Sequence, residues 1–464
     1  MVFSSIPFMF FFFPIFLILY YAVPFKLKNY ILLIFSLIFY AWGEPIYVFL
    51  MIFSCLINYV AGILISKYDK KKLILIITVI INLGLLGFYK YGDFLISNIN
   101  NVFKTNISLL EIGLPIGISF FTFQAMSYVI DVYRKKVKIE KNFLTFTTYV
   151  SMFPQLIAGP IVRYETVSEE LKKRTINYEN FQSGMFRFLT GLFKKVLIAN
   201  NVGLLFTTIT TMDLSSISIL TAWLAIIAFT FQIYFDFSGY SDMAIGMGKM
   251  LGFNYLENFN YPYIAKSITD FWRRWHISLS SWFKDYVYIP LGGSRCSRIL
   301  NIRNILIVWA LTGLWHGSNW NFVIWGLYFG LILILEKFVL NKFLTKKSNF
   351  FKHVYTLFLI IIGWLIFAFD DIDMLSKFSK IMFGLNGNPL INNTFLYYFK
   401  NYFIILLVAT IFSTPVMNVI KKKISKKNEL LIFIITLLVI TTLFILSIAS
   451  LVSDTYNPFL YFRF

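Results

Sequence analysis

Apolar runs close to the length of a membrane span, about 20 residues, recur along the whole chain, with short polar breaks between them. They predict transmembrane segments at 6–23, 29–42, 46–66, 73–91, 109–131, 143–159, 217–237, 304–335 as one element or two, 354–369, 401–420 and 430–452. The fold class this implies is all-α: a polytopic integral membrane protein of roughly eleven transmembrane helices. The breaks alternate in charge. Lys26 and Lys28 lie in the first, Glu44 in the next, Lys67 to Lys72 in the third, Asp93 with Lys104 in the fourth and Arg134 to Lys141 in the fifth. Because basic loops stay on the cytoplasmic side, this order places the N-terminus outside. Lys342 to Lys352 and Lys421 to Lys427 are basic, with Asp370, Asp371 and Asp373 between them, so the C-terminus is expected outside as well. Residues 160–303 parse less cleanly. They mix aromatics with Arg163, Arg174, Arg187, Lys194 and Lys195, and then the segment Asp270 to Arg303. Irregular backbone at membrane depth survives only against protein or a wet cavity, so a functional site is expected in this stretch.

Composition agrees with the pattern. Apolar residues make up 58%, charged residues 14%, and mean hydropathy is +0.72, which excludes an ordinary soluble domain. The formal charge of +20 would otherwise suggest nucleic acid, but the cations cluster between apolar runs and read as anchors to the bilayer. The run from Ile6 to Val23 lacks a basic leader and a small-residue cleavage site, and reads as a first span. Cys55 in an apolar run and Cys296 in a basic loop support neither a disulfide nor a metal site.

The three histidines carry most of the candidate chemistry. His316 lies in LTGLWHGSNWNFVIWG, inside an apolar stretch, where ionisable groups are costly and mark cavities, partners or pathways. It is either a general base, since imidazole titrates near neutrality, or a buried ring bonded to a backbone carbonyl. Gly313 and Gly317 leave room for a ligand or for a second backbone. His276 sits in DFWRRWHISLSSWFKDYVYIPLGG. Helical spacing puts Trp272, Trp275, Leu279 and Trp282 on one face, the pattern of an interfacial anchor. The alternative is a donor site in which Arg273, Arg274 and Lys284 receive phosphates while His276 points into a tunnel with His316. His353 reads as an interfacial residue. The third cluster, FQIYFDFSGYSDMAIGMGKMLGF, offers Gln232, Asp236, Ser238, Tyr240, Ser241 and Asp242. Its aspartates either orient a histidine within a buried network or form a helix-ending turn at Asp236 to Gly239. Met250 stands where a Walker motif needs Ser or Thr, and HExxH, paired-Cys and GxSxG motifs are absent, so no metal site, ATPase or serine-hydrolase elbow is expected.

YFDFSGYSDMAIG, ENFNYPYIAKSITDFWRRWHISLSSWFKDYVYIPLGG and LTGLWHGSNWNFVIWG closely resemble the membrane-bound O-acyltransferase (MBOAT) family, in its bacterial alginate O-acetylase-like branch. The likeness extends to VFSS at the start, FYAWGEP, LPIGISFFTFQAMSYVIDVYR, FPQLIAGPIVR and the terminal NPFLYFRF. The resemblance implies one domain over 1–464: N-terminal helices to 160, a catalytic core of re-entrant and interfacial elements over 161–335, and C-terminal helices over 336–464. A thin central wall pierced by a tunnel is expected between them. It makes His316 and His276 catalytic, Gln232, Asp236, Ser238, Tyr240, Asp242, Trp275, Trp315 and Asn319 substrate or tunnel candidates, and Arg273, Arg274 and Lys284 donor-binding candidates. It further implies a multi-pass enzyme of the bacterial plasma membrane with no bound cofactor. Such an enzyme takes acetyl from cytoplasmic acetyl-CoA and hands it outward to an SGNH-type partner that acetylates an alginate-like exopolysaccharide or peptidoglycan. A related branch exports D-alanyl groups to teichoic acid, but YIPLGG and FLYFRF look more like the acetylase branch. A transporter or flippase would show repeat-related halves, and none is visible in the chain.

Overall fold

The computed structural model describes residues 2–157, 159–417, 419–420, 429–453 and 456–460, with the side chains of 429–432 left aside. The basic run Lys421 to Lys427 and the last four residues of the terminal motif therefore lie outside the described residues. Among the described residues all regular structure is helical, and ten helices are long and apolar enough to cross a membrane. Several match the apolar runs closely: Phe25–Gly43, Tyr47–Lys67, Asn349–Ala368 and Glu429–Ser453, while the span expected at 401–420 lies earlier in the chain, over Asn393–Phe412. The 304–335 stretch resolves into two antiparallel helices, Arg298–His316 and Trp320–Leu335.

Four further spans differ from expectation, each for a physical reason. The first apolar run forms a helix over Phe8–Ala22, shorter than a bilayer crossing, and it buries Phe8, Phe13 and Phe16 against other rings, including Phe153. The expected span 109–131 is helical only over Ile118–Tyr133, and nearly every side chain there is buried, Gln124 and Asp131 included. The expected span 143–159 breaks at Met152 into Phe143–Ser151 and Phe153–Leu156, where Pro154 can only occupy a helix start. The 73–91 span runs on to Phe103 through the expected loop. Asp93 lies inside that helix and accepts N–H bonds from Leu110 at 2.6 Å and Glu111 at 3.1 Å.

The middle of the chain holds the largest correction. Tyr178–Thr210 is a continuous helix of 33 residues, although the charges Arg187, Lys194 and Lys195 had kept this stretch from parsing as a span. Two of those cations are neutralised from the next helix, Ile219–Met250. Arg187 bonds Asp242 at 2.7 Å, and Lys195 bonds Asp236 at 2.8 Å with both side chains only 2% exposed. The same pairs overturn the helix-ending turn at Asp236 to Gly239, because Ile219–Met250 runs straight through it for 32 residues.

The chain falls into two compact units. One comprises Met1–Phe188 with Tyr240–Leu256, the other Leu189–Gly239 with Glu257–Phe464. The candidate chemistry concentrates in the second.

Candidate active site

Within the second unit, Ile268–Arg274 and Ile277–Phe283 replace the single amphipathic helix that the tryptophan spacing predicts. They are separated at Trp275 and His276, and His276 takes a left-handed backbone conformation, φ 44° and ψ 55°. Such a conformation costs a non-glycine residue about 1–2 kcal/mol, so the surroundings must impose it. The segment from Asn258 to Asn260 supplies the missing backbone partners at the break: Ile277 N–H donates to the Asn258 carbonyl at 3.0 Å, and Asn260 N–H to the Arg274 carbonyl at 2.9 Å. The break turns the tryptophans inward. Trp272, Trp275 and Trp282 are buried, and Trp275 packs on Phe259, Phe271 and Trp364 with centroid distances of 5.1, 5.6 and 4.8 Å. They belong to the protein interior, and the interfacial-anchor reading is corrected accordingly.

The first helix of this pair is held at its N-terminus by a side chain that sequence reasoning passed over. Glu336 is 5% exposed, and its carboxylate accepts N–H bonds from Ile268 at 2.7 Å and Thr269 at 3.0 Å, plus the Thr269 hydroxyl at 2.9 Å. A carboxylate satisfies both the orphan donors and the positive end of the helix dipole.

His316 is the last residue of Arg298–His316. Its helix meets Trp320–Leu335 at backbone contact distance. A Cβ at Gly313 would collide with the Phe322 carbonyl, and one at Gly326 with the Trp309 carbonyl. The room expected beside Gly313 is therefore taken by the partner helix. Asn319 serves the same turn: its side-chain oxygen accepts from Trp320 N–H at 2.6 Å and its amide donates to the Asp370 carbonyl at 2.9 Å. The His316 ring is walled by Trp315, Trp325 and Phe367, at centroid distances of 5.0, 4.9 and 5.5 Å. Trp315 stands 5.9 Å from the His276 ring, which also meets Phe237 edge-on at 4.7 Å.

Both histidines line one cavity of about 800 Å3. Its throat is apolar, with Trp272, Leu279, Phe283, Ile305, Val308 and Trp309. Its rim is cationic: Lys266, Arg273, Lys284, Lys337 and Lys352 all contribute, and the first four are exposed. Glu336 is the single carboxylate in the described lining, and it is already engaged by the helix N-terminus. A cavity so charged attracts anions to its mouth and offers water little inside.

Of the residues singled out in the sequence, His316, His276, Arg273 and Lys284 meet at this cavity. Arg274 does not line it; its guanidinium bonds Asp270 at 2.9 Å and the Asn260 carbonyl at 3.3 Å. Gln232 packs against Gly203, and Asp236 is paired with Lys195. Ser238 is buried in the Ile219–Met250 helix. Tyr240, stacked on Phe3 at 4.3 Å, and Asp242, paired with Arg187, belong to the first unit. His353 is not among the lining residues; its Nδ1 lies 3.2 Å from the Ala265 carbonyl. Asn258, Glu336 and the rim lysines 266, 337 and 352 were not anticipated. Asn258 stood in the ENFNYPY motif, a polar residue in an aromatic run, which was the one available signal.

The many apolar helices define a multi-pass membrane protein, and two imidazoles lining one cavity with several cations give it a candidate site for group transfer. The sequence profile of the membrane-bound O-acyltransferase family matches residues 139–372, and the chain belongs to that family. It is 41% identical over 392 residues to the Probable alginate O-acetylase AlgI of Pseudomonas aeruginosa, covering 83% of this chain and 75% of that one. It is 36% identical to the Peptidoglycan O-acetyltransferase of Helicobacter pylori, over 84% of this chain and 81% of that one. A more distant relative, the Teichoic acid D-alanyltransferase of Bacillus subtilis, is 30% identical over 48% of this chain and 59% of its own length. The protein is thus an O-acyltransferase.

Proposed function

We propose that this enzyme draws an acetyl group from cytoplasmic acetyl-CoA and delivers it through the membrane for O-acetylation of an extracellular or cell-wall polysaccharide. A single observation carries the reading: one cavity is lined by both histidines, by exposed cations and by a set of apolar side chains. The rim cations suit the phosphates of coenzyme A, and the throat suits the neutral thioester end. Orientation supports the direction of transfer. Lys352 belongs to the basic 342–352 stretch that the positive-inside rule assigns to the cytoplasm, and it lines the mouth. His316 ends a helix that starts at Arg298, and a helix of 19 residues advances about 28 Å, close to the thickness of the hydrocarbon core. This orientation puts both termini outside, in a bacterial plasma membrane. The acceptor hydroxyl, carried on the polysaccharide or on an SGNH-type partner, approaches from the far side.

In this mechanism His316 takes the proton of the acceptor hydroxyl as its oxygen attacks the thioester carbon. The C–O bond forms, the C–S bond breaks, and the proton finally rests on the coenzyme A thiolate. Holding both reactants against one imidazole in a water-poor throat supplies the orientation term of catalysis and limits hydrolysis. The relatives named for alginate and peptidoglycan acetylation support acetyl and polysaccharide as donor group and acceptor class. The test is purified protein in nanodiscs with labelled acetyl-CoA and an acceptor. His316→Ala should insert normally yet lose transfer by at least about a hundredfold, the scale expected when a general base is removed. Retained transfer in that variant removes His316 from the mechanism, and turnover of a D-alanyl thioester in place of acetyl-CoA replaces the acetyl reading.

A further inference from the structure

Asn258 is 1% exposed and touches the site through His276. Its side-chain oxygen lies 3.1 Å from His276 Nδ1, 3.2 Å from the Ser278 backbone nitrogen and 2.9 Å from the Ser278 hydroxyl. The Ser278 N–H can only donate, so the atom of Asn258 that faces it must be the carbonyl oxygen and not the amide nitrogen. The same oxygen faces His276 Nδ1. Two acceptors cannot share that contact, so Nδ1 carries the proton. A neutral imidazole protonated at Nδ1 keeps its basic lone pair on Nε2. Such a ring has no Nε2 hydrogen with which to polarise a thioester carbonyl.

From this geometry we infer that Asn258 is a positioning residue whose carbonyl holds His276 in the Nδ1-protonated form, so that Nε2 accepts from His316 the proton taken off the acceptor hydroxyl and delivers it to the leaving thiolate. This rests on the acyl-transfer reading above. The proton that His316 removes from the hydroxyl oxygen as C–O forms passes to Nε2, and from the same nitrogen to sulfur as C–S breaks. No net proton or electron is consumed. Throughout, Nδ1–H stays on Asn258, whose oxygen dipole stabilises the transient imidazolium. The left-handed backbone at His276 has a use on this account: with Ile277 N–H also bonded to Asn258, it aims the ring at the amide. His316 lines the same cavity as His276, whose aromatic neighbours are Phe237 and Trp315.

The test has two arms. The first needs no turnover. The chain has three histidines, so nitrogen-15 histidine spectra of protein in lipid, in a His316→Gln, His353→Gln background, report His276 alone. The inference expects the Nδ1-protonated form, and a mixed or Nε2-protonated ring in Asn258→Leu. The second arm is kinetic. Asn258→Leu should lower kcat by about 10- to 100-fold, the usual cost of losing such a support, with KM for acetyl-CoA within about twofold. Asn258→Asp keeps an oxygen at both donors and adds a charge that favours imidazolium, so it should recover most of kcat while moving the acid limb of the pH–rate profile upward. An Nε2-protonated ring in the parent, an unaltered kcat in the leucine variant, or an aspartate variant with no pH displacement each overturns the inference. A parent inactive on acetyl-CoA but with the expected spectrum would instead sink the donor assignment alone.

Discussion

The ion pair between Lys195 and Asp236 gives the sharpest test of how the membrane core is assembled. Both side chains are 2% exposed and sit 2.8 Å apart, and neither end is simple. The ammonium also donates to Asn200 Oδ1 at 2.8 Å and to the Pro458 carbonyl, and the carboxylate accepts the Leu460 N–H at 2.8 Å. Removing one charge strands the other with no water to solvate it, which costs about 3–5 kcal/mol for a buried pair. Lys195→Met or Asp236→Asn alone should therefore lower the unfolding midpoint by about 5 °C or more, taking roughly 2 °C per kcal/mol as a lower slope. Lys195→Met with Asp236→Asn removes both charges and keeps an acceptor for Leu460, so it should recover at least half of that loss. A helix-capping aspartate would behave differently: Asp236→Asn would cost a few tenths to about 1 kcal/mol, with no rescue by the lysine change. Thermal unfolding in nanodiscs, followed by size-exclusion chromatography, measures all three variants. Equal midpoints for the single and double variants, or a double variant worse than the sum of the singles, would refute the coupling.

The rim and the helix hairpin yield further expectations. Lys284→Ala and Lys337→Ala should each raise KM for acetyl-CoA a few-fold with kcat near the parent value, and the effect should fade as salt rises, because exposed charges act by screened attraction. Arg273→Ala should behave alike, while Arg274→Ala, whose charge is already held by Asp270, should leave KM unmoved; steady-state kinetics at two ionic strengths decides between them. Gly313→Val should depress kcat more than KM and destabilise by about 1–3 kcal/mol, since its side chain drives the Trp320–Leu335 helix from the turn that bears His316. Gly84→Ala, with nothing within 4 Å, is the control that should change neither.

Much of the architecture was legible along the chain. Hydrophobic runs are local, and a span announces itself because each residue in it must avoid water independently of its neighbours. His316 was legible for a related reason, since an imidazole inside an apolar run is costly wherever it finally points. What failed were the places where a charge's meaning depends on a distant partner. Tyr178–Thr210 did not parse as a span because Arg187 and Lys195 carry no mark of the aspartates that neutralise them. The tryptophans around His276 looked like a surface face because helical spacing assumes an unbroken helix, and the break comes from the Asn258 segment that fills it. Arg273 and Arg274 are chemically identical neighbours, yet one lines the cavity and the other is tied to Asp270. Sequence alone thus determined that this chain lives in a bilayer, is helical and carries imidazoles at a cost. Tertiary structure alone decided which cations line the cavity, which carboxylates are spent on helix ends and ion pairs, and which nitrogen of His276 faces Asn258, because hydrogen bonds and charges are satisfied through space and not along the chain.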